Sequence, residues 1–156
     1  MDKIHDVRQR YLHQAEVSRT QASSSKACDK YDQRVGGLIV IVDLAREMGV
    51  DLAAILQRAG LDSHTLENVD NRIPFASMGR LLNECGLATG CPHFSLLTCE
   101  RVRLSHFGLP GELMRYSATL RAGLQACVSY QHLNSQGMVT FLFEDGAIAS
   151  LGCAVL

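Results

Sequence analysis

The spacing of apolar positions changes along the chain, and the change divides it. Between residues 37 and 133 they recur at helical intervals; from residue 138 they follow the pattern of strands. Leu38, Ile41, Val42, Ala45 and Met48 fall at i, i+3, i+4, i+7 and i+10. Ile39 and Leu44 widen that stripe, which predicts a mostly buried helix stopped by Gly49. Asp51 is placed to cap a second helix with the face Leu52, Ile55, Leu56 and Ala59, ended by Gly60. Asp62 then caps a short turn ending near Leu66. Pro74 suits the first position of a longer helix, whose face is Met78, Leu81, Leu82 and Cys85 and whose stop is Gly90. Pro92 opens a shorter helix through Phe94, Leu96 and Leu97. A Gly108-Leu109-Pro110-Gly111 turn leads to Leu113 and Met114, and Thr119 caps a last helix expected to bury Leu120, Leu124, Cys127 and Val128.

Met138 to Phe143 is β-prone, and Asp145-Gly146 predicts a type I′ turn returning through Ala147 to Leu156. That turn would set Phe143 opposite Ile148 and Phe141 opposite Ser150. One face of the hairpin then carries Val139, Phe141, Phe143 and Ile148; the other carries Met138, Thr140, Leu142, Ala149, Leu151 and Cys153. Both faces are apolar and expect cover. The chain closes on Cys153-Ala154-Val155-Leu156, without charge or turn. This reads as a fragment whose further strands are absent, with an open strand edge that favours self-association. Residues 1–36 are polar, with Ile4, Val7 and Tyr11 at the spacing of a short amphipathic helix and a flexible Thr20–Lys26 link, and read as a frayed terminal arm; the rival reading folds this arm over that edge. The expected fold is α+β: an arm over residues 1–36, then one domain over 37–156 in which a helical layer packs against a small antiparallel hairpin or sheet.

Composition narrows the class. At 156 residues, 47% apolar and 20% charged, the chain can bury a single core and is not a disordered segment. No apolar run approaches the roughly 20 residues of a membrane-spanning helix. The opening Met1-Asp2-Lys3-Ile4-His5-Asp6 is followed by no apolar signal segment. A formal net charge of −1 provides no field to hold DNA or anionic lipid. The six cysteines read as reduced, mostly buried thiols of a cytoplasmic protein.

Catalytic signatures are missing: there is no G-x-G-x-x-G, no phosphate-binding loop, no G-x-S-x-G, no H-E-x-x-H and no C-x-x-C. An enzyme is therefore not expected. Cys85, Cys91, His93 and Cys99 are the best metal candidates, but their spacing fits no standard zinc site and Cys85 lies on an apolar helical face, so neither metal nor cofactor is expected. Most of the six histidines read as hydrogen-bonded or exposed. His106 and His132 also suit the rim of an apolar pocket, where polar groups orient a ligand.

An ordered series of short blocks carries a resemblance. It starts with Gly49-Val50-Asp51-Leu52-Ala53-Ala54-Ile55-Leu56-Gln57-Arg58-Ala59-Gly60-Leu61-Asp62. It continues through Asn71-Arg72-Ile73-Pro74-Phe75, Ala88-Thr89-Gly90-Cys91-Pro92-His93-Phe94 and Leu104-Ser105-His106-Phe107-Gly108-Leu109. It ends with Ser117-Ala118-Thr119-Leu120, Tyr130-Gln131-His132-Leu133-Asn134 and Phe143-Glu144-Asp145-Gly146. Together these resemble the effector-binding N-terminal domain of AraC-type transcription regulators. The resemblance implies a domain that binds a small-molecule effector and forms a homodimer, with DNA contacted only through a C-terminal helix-turn-helix domain that this chain lacks. One departure is local: where the family continues Gly-Leu-Leu-Gly-Tyr, this chain has Gly108-Leu109-Pro110-Gly111-Glu112. Pro110 removes a backbone donor and is expected to recast that loop.

The expected ligand site lies between the hairpin and the helices. Arg72, His106, Tyr130, His132 and Phe141 are its candidates, with Arg72 meeting an anionic group and Tyr130 and His132 donating hydrogen bonds. Two other readings compete: a ligand-free oligomerisation module, and a redox or metal sensor built on the cysteines.

Overall fold

The computed structural model describes residues 30–156. The expectations for the Ile4–Tyr11 helix and the Thr20–Lys26 link lie outside the described residues, as does Cys28.

A short strand β1 (Asp32–Arg34) runs into a 3₁₀ turn (Val35–Leu38) and helix α1 (Val40–Glu47). Helix α2 (Leu52–Arg58) follows, then strand β2 (Arg72–Pro74), α3 (Phe75–Thr89) and α4 (Phe94–Arg101). A second 3₁₀ turn (Leu104–Phe107), α5 (Leu109–Arg115), α6 (Leu120–Tyr130) and a third 3₁₀ turn (Gln131–Leu133) lead to strands β3 (Met138–Asp145) and β4 (Ile148–Val155). The fold is α+β, with two separate two-stranded antiparallel sheets.

The caps that the sequence offers are used. Asp51 Oδ1 accepts the Ala53 and Ala54 N–H groups at the start of α2, and Thr119 Oγ1 accepts the Ala122 N–H at the start of α6. Asp62 Oδ1 accepts the His64 N–H and caps a turn, not a helix. Gly49, Gly60 and Gly90 stop their helices at φ of 70°, 73° and 62°. Pro74 is one residue earlier than expected, at the N-cap of α3. Pro110 sits within the first two residues of α5, where a helix has no use for its missing N–H.

The core is lopsided. Val35, Leu38, Ile41, Leu44, Ile55, Leu56, Leu66, Ile73, Leu81 and Phe94 interlock in one cluster with Cys85 and Ala59. Among the described residues, no hydrophobic side chain beyond Phe94 belongs to the buried core. Leu120, expected on the buried face of α6, is 80% exposed, because α6 turns Gly123 inward at that level.

In the hairpin, Asp145 pairs with Ile148, Phe143 with Ser150 and Phe141 with Gly152. The turn is therefore Gly146-Ala147, not Asp145-Gly146. A type I′ turn at the expected place would need a positive φ at Asp145. Among the described residues only glycines have positive φ, and Gly146, at 60°, takes the first turn position in the type II′ manner. The shift is two residues, so the expected division of side chains between the two faces survives.

Candidate functional site

The two halves of the domain meet at β1. This strand lies between β2, to which it is paired, and the segment 134–136 that leads into the hairpin. The Arg34 N–H donates to the Asn134 carbonyl at 2.6 Å, and the Gln136 N–H donates to the Asp32 carbonyl at 2.9 Å. Residues 32–36, grouped by sequence with the arm, are thus the clasp of the fold.

Arg34 is the centre of that clasp. Its side chain is 13% exposed. Nε donates to Asp70 Oδ1 at 2.9 Å, and Nη1 donates to the His106 carbonyl at 2.7 Å. Two glycines make room: a Cβ at Gly36 would overlap the His106 carbonyl oxygen and Arg34 Nη1, and one at Gly108 would come within 3.3 Å of the guanidinium. Asn134, 8% exposed, donates from Nδ2 to the Phe107 carbonyl at 3.0 Å. One buried cation and one buried amide therefore tie β1, the 104–107 turn and the root of the hairpin together.

Arg72 and His106 belong to this junction. Arg72 pairs with Asp32 across β1 and β2, and its Nη1 donates to the Leu133 carbonyl at 2.9 Å. The hydrogen bond from the Arg72 guanidinium holds the Asp32 carboxyl below its ordinary value, while burial opposes the shift. The anion that Arg72 meets in this structure is the chain's own Asp32. His106 Nδ1 accepts the Arg103 N–H at 3.0 Å, so in the neutral ring the proton sits on Nε2. His106 also lines a shallow groove of about 380 Å³ with Val40, Asp43, Arg46, Glu47 and Arg101.

Tyr130 ends α6 and is 44% exposed; His132 follows in the 3₁₀ turn and is exposed, next to the Leu133 carbonyl that Arg72 holds. Phe141 is on another face. Arg121 Nε donates to Glu144 at 2.9 Å, which turns Met138, Thr140, Leu142 and Glu144 toward α6. Phe141 looks the other way, its ring lying over Gly152 and edge-on to Phe143 at 5.5 Å. The structure thus brings Arg72, His106 and the His132 turn to one junction, and places Phe141 on the hairpin face turned from α6.

Two buried hydroxyls flank the start of the hairpin, one on the segment beside β1 and one on the α6 side of β3. Ser135 Oγ and Thr140 Oγ1 have no hydrogen-bond partner among the described residues. A buried hydroxyl without a partner costs about 1–3 kcal/mol. Sequence reading passed over both, as it did Arg34 and Asn134: a lone Ser, Thr, Asn or Arg carries no local signal of burial.

The cysteines are less buried than expected. Cys85 is fully buried, Cys91 and Cys127 are half-buried, and Cys99 and Cys153 are exposed. Cys99 lies on the solvent side of α4, whose inward positions belong to Phe94 and Thr98. Cys153 lies on β4, paired with Thr140. Burial pushes the Cys85 thiol up to about 11, with the Glu84 charge adding, and raises Cys127 as well. Among the described residues, no three His, Cys, Asp or Glu side chains gather as a metal site would require.

The family model for the arabinose-binding domain of AraC transcription regulators, N-terminal, matches residues 49–155. The chain belongs to this family. The match begins after α1 and runs to the last residue of β4, so it takes in Asp70, Arg72 and His106 of the junction, α6 and the whole hairpin, but not β1. No curated protein matches the chain. The family is one of ligand-sensing regulatory domains, not an enzyme class. Among the described residues, no helix is long and apolar enough to cross a membrane.

Proposed function

We propose that this domain holds its small-molecule effector where the hairpin meets the helical layer and self-associates as part of an AraC-type regulator, in the cytoplasm. The observation that supports this is the imbalance of the core. The second half of the chain has as much apolar sequence as the first, yet large apolar side chains stay exposed along it: Leu109 at 60%, Tyr116 at 77%, Phe143 at 52%, Ile148 at 57%. Exposed apolar surface of this kind marks ligand or partner sites.

The effector reading rests on the seam between α6 and the hairpin. Tyr130 and His132 stand at one end of it, the Thr140 hydroxyl faces it, the Ser135 hydroxyl lies beside β1 at its root, and Arg72 and His106 brace the adjoining junction. A hydroxyl-rich effector would satisfy the two buried oxygens, and Phe141 would line the outer face of the same hairpin. Closing the seam would tighten β3 on α6 and pull on the clasp at Arg34. Contact with DNA then belongs to another domain of the regulator.

The test is thermal unfolding of the full chain with L-arabinose and a panel of small sugars, carboxylates and amino acids. A ligand present at 100 times its Kd stabilises by about 2.7 kcal/mol, which is roughly 5–10 °C for a domain of this size. The shift should vanish in His132→Ala and Thr140→Val. A shift that survives in both places the effector elsewhere.

A further inference from the structure

The apolar core stops before the second half of the domain begins. Among the described residues, neither the core cluster nor the half-buried side chains packed on it reach past Leu97. From residue 104 onward the buried positions are Pro110, Gly111, Gly123, Asn134, Ser135 and Gly137, all small or polar. The 104–107 turn, α5, α6 and the hairpin thus make one continuous half with no large apolar side chain in the buried core. Such a half gains little from hydrophobic burial of its own, and a two-stranded hairpin is marginal alone. Its order depends on what it is docked against.

That docking is largely polar. Within the described residues the backbone passes between the halves once, at Val102 and Arg103, both extended with ψ of 135° and 160°. Four hydrogen bonds tie the halves elsewhere. The Arg34 N–H donates to the Asn134 carbonyl and the Gln136 N–H to the Asp32 carbonyl. The Arg34 guanidinium holds the His106 carbonyl, and that of Arg72 holds the Leu133 carbonyl. The Phe75 ring packs on Gly137 at the same place, where a Cβ would overlap it. All four bonds involve β1 or β2, so they form and break together. Water can take the place of these partners when they part, whereas it has nothing to offer the side chains of the core. The junction therefore opens at a lower free energy than the helical half.

We infer that residues 104–156 are a second cooperative unit, ordered while the β1 clasp holds them on the helical unit and disordered when the clasp opens, so that the clasp is an order–disorder switch built into the fold. The inference stands apart from where an effector binds and from self-association. A molecule that binds only the closed form would hold residues 104–156 in order.

Amide hydrogen exchange of the full chain, read by mass spectrometry at rising urea below the unfolding midpoint, tests it. In the wild type, the amides of α6 and β3 should exchange at least about tenfold faster than the slowest amides of α1 and α3. They should also share one urea dependence, shallower than that of α1 and α3, because their opening exposes less surface. Ile55→Val, a mild change in the core cluster, should speed α1 and α3 by roughly two- to tenfold. It should leave α6 and β3 unchanged, since the helical unit stays folded while the second unit opens. Arg34→Lys should speed both sets by a common factor, because either opening breaks the clasp. Equal rates and slopes in the wild type, or an Ile55→Val effect that reaches α6 and β3 in full, would make the domain a single unit and overturn the inference. Exchange of α6 and β3 with no urea dependence would be local fraying and would overturn it as well.

Discussion

Arg34 Nη1 donates to the carbonyl oxygen of His106 at 2.7 Å, across 72 residues of sequence. That one hydrogen bond joins the strand that opens the described fold to the turn that precedes α5. Asp70 shares the same guanidinium through Nε at 2.9 Å. The guanidinium is nearly buried, so its removal leaves the His106 carbonyl short of a donor, while the exposed Asp70 carboxylate turns to water.

Arg34→Ala should therefore destabilise the domain by about 2–4 kcal/mol, as expected when hydrogen bonds to a mostly buried charge are lost. Arg34→Lys should recover little, because one ammonium cannot reach both acceptors in the geometry of the fork. Urea unfolding followed by circular dichroism measures both. A loss no larger than that of an ordinary surface substitution would show that Arg34 is not the clasp.

Gly36 and Gly37 are neighbours with opposite surroundings. A methyl at Gly36 meets the His106 carbonyl and the Arg34 guanidinium, whereas one at Gly37 meets nothing within 4 Å. Gly36→Ala should cost about 2 kcal/mol or more and Gly37→Ala within about 0.5 kcal/mol of nothing. Equal effects at the two sites would contradict the packing around Arg34.

Acid should loosen the pairing of β1 with β2. Arg72 holds the Asp32 carboxyl below its ordinary value of 3.8, chiefly by a hydrogen bond. A carboxyl lowered in the folded state stabilises fully above its unfolded value, and the contribution fades as pH falls through the lower folded value. Both side chains are about one-third exposed, so the effect is modest, at most about 1 kcal/mol. The stability gap between wild type and Asp32→Asn should be constant near neutral pH and close below about pH 4. A gap that persists unchanged at pH 3 would contradict the pairing.

Thiol labelling should separate the cysteines by burial. With a disulfide reagent near pH 8, Cys99 and Cys153 should react quickly, since each is exposed. Cys85, buried and pushed up to about 11, should react only as the domain unfolds. Peptide mapping after brief labelling reads this directly. Native-state labelling of Cys85 at the rate of Cys99 would reopen the redox reading.

What the sequence disclosed was local. Asp51, Thr119, Gly49, Gly60 and Gly90 act on neighbours two to four residues away, so caps and stops could be placed from spacing alone. The hairpin faces were legible for the same reason, and the turn was misplaced by one position because Asp-Gly satisfies two turn types that differ only in which residue takes positive φ. The strands β1 and β2 have three residues each and no alternating pattern, and they exist because Arg34, Asn134 and Asn71 supply partners from distant segments. The candidate site divides the same way. Arg72 and His106 fell within family-like blocks and lie at the junction. Arg34, Ser135 and Thr140 are set there by long-range packing that no short window contains. Leu120 was assigned to the core by helical spacing alone, which cannot tell a core stripe from an uncovered one.

Native mass spectrometry of the full chain, with the sugar, carboxylate and amino-acid panel added, tests the central claim most directly. The chain should appear at its 17.1 kDa mass, or twice that, carrying one small molecule per copy that is lost on collisional activation. His132→Ala and Thr140→Val should lose the adduct and keep the fold. Bare chain at every ligand tried, even at millimolar concentration, would contradict effector binding by this domain.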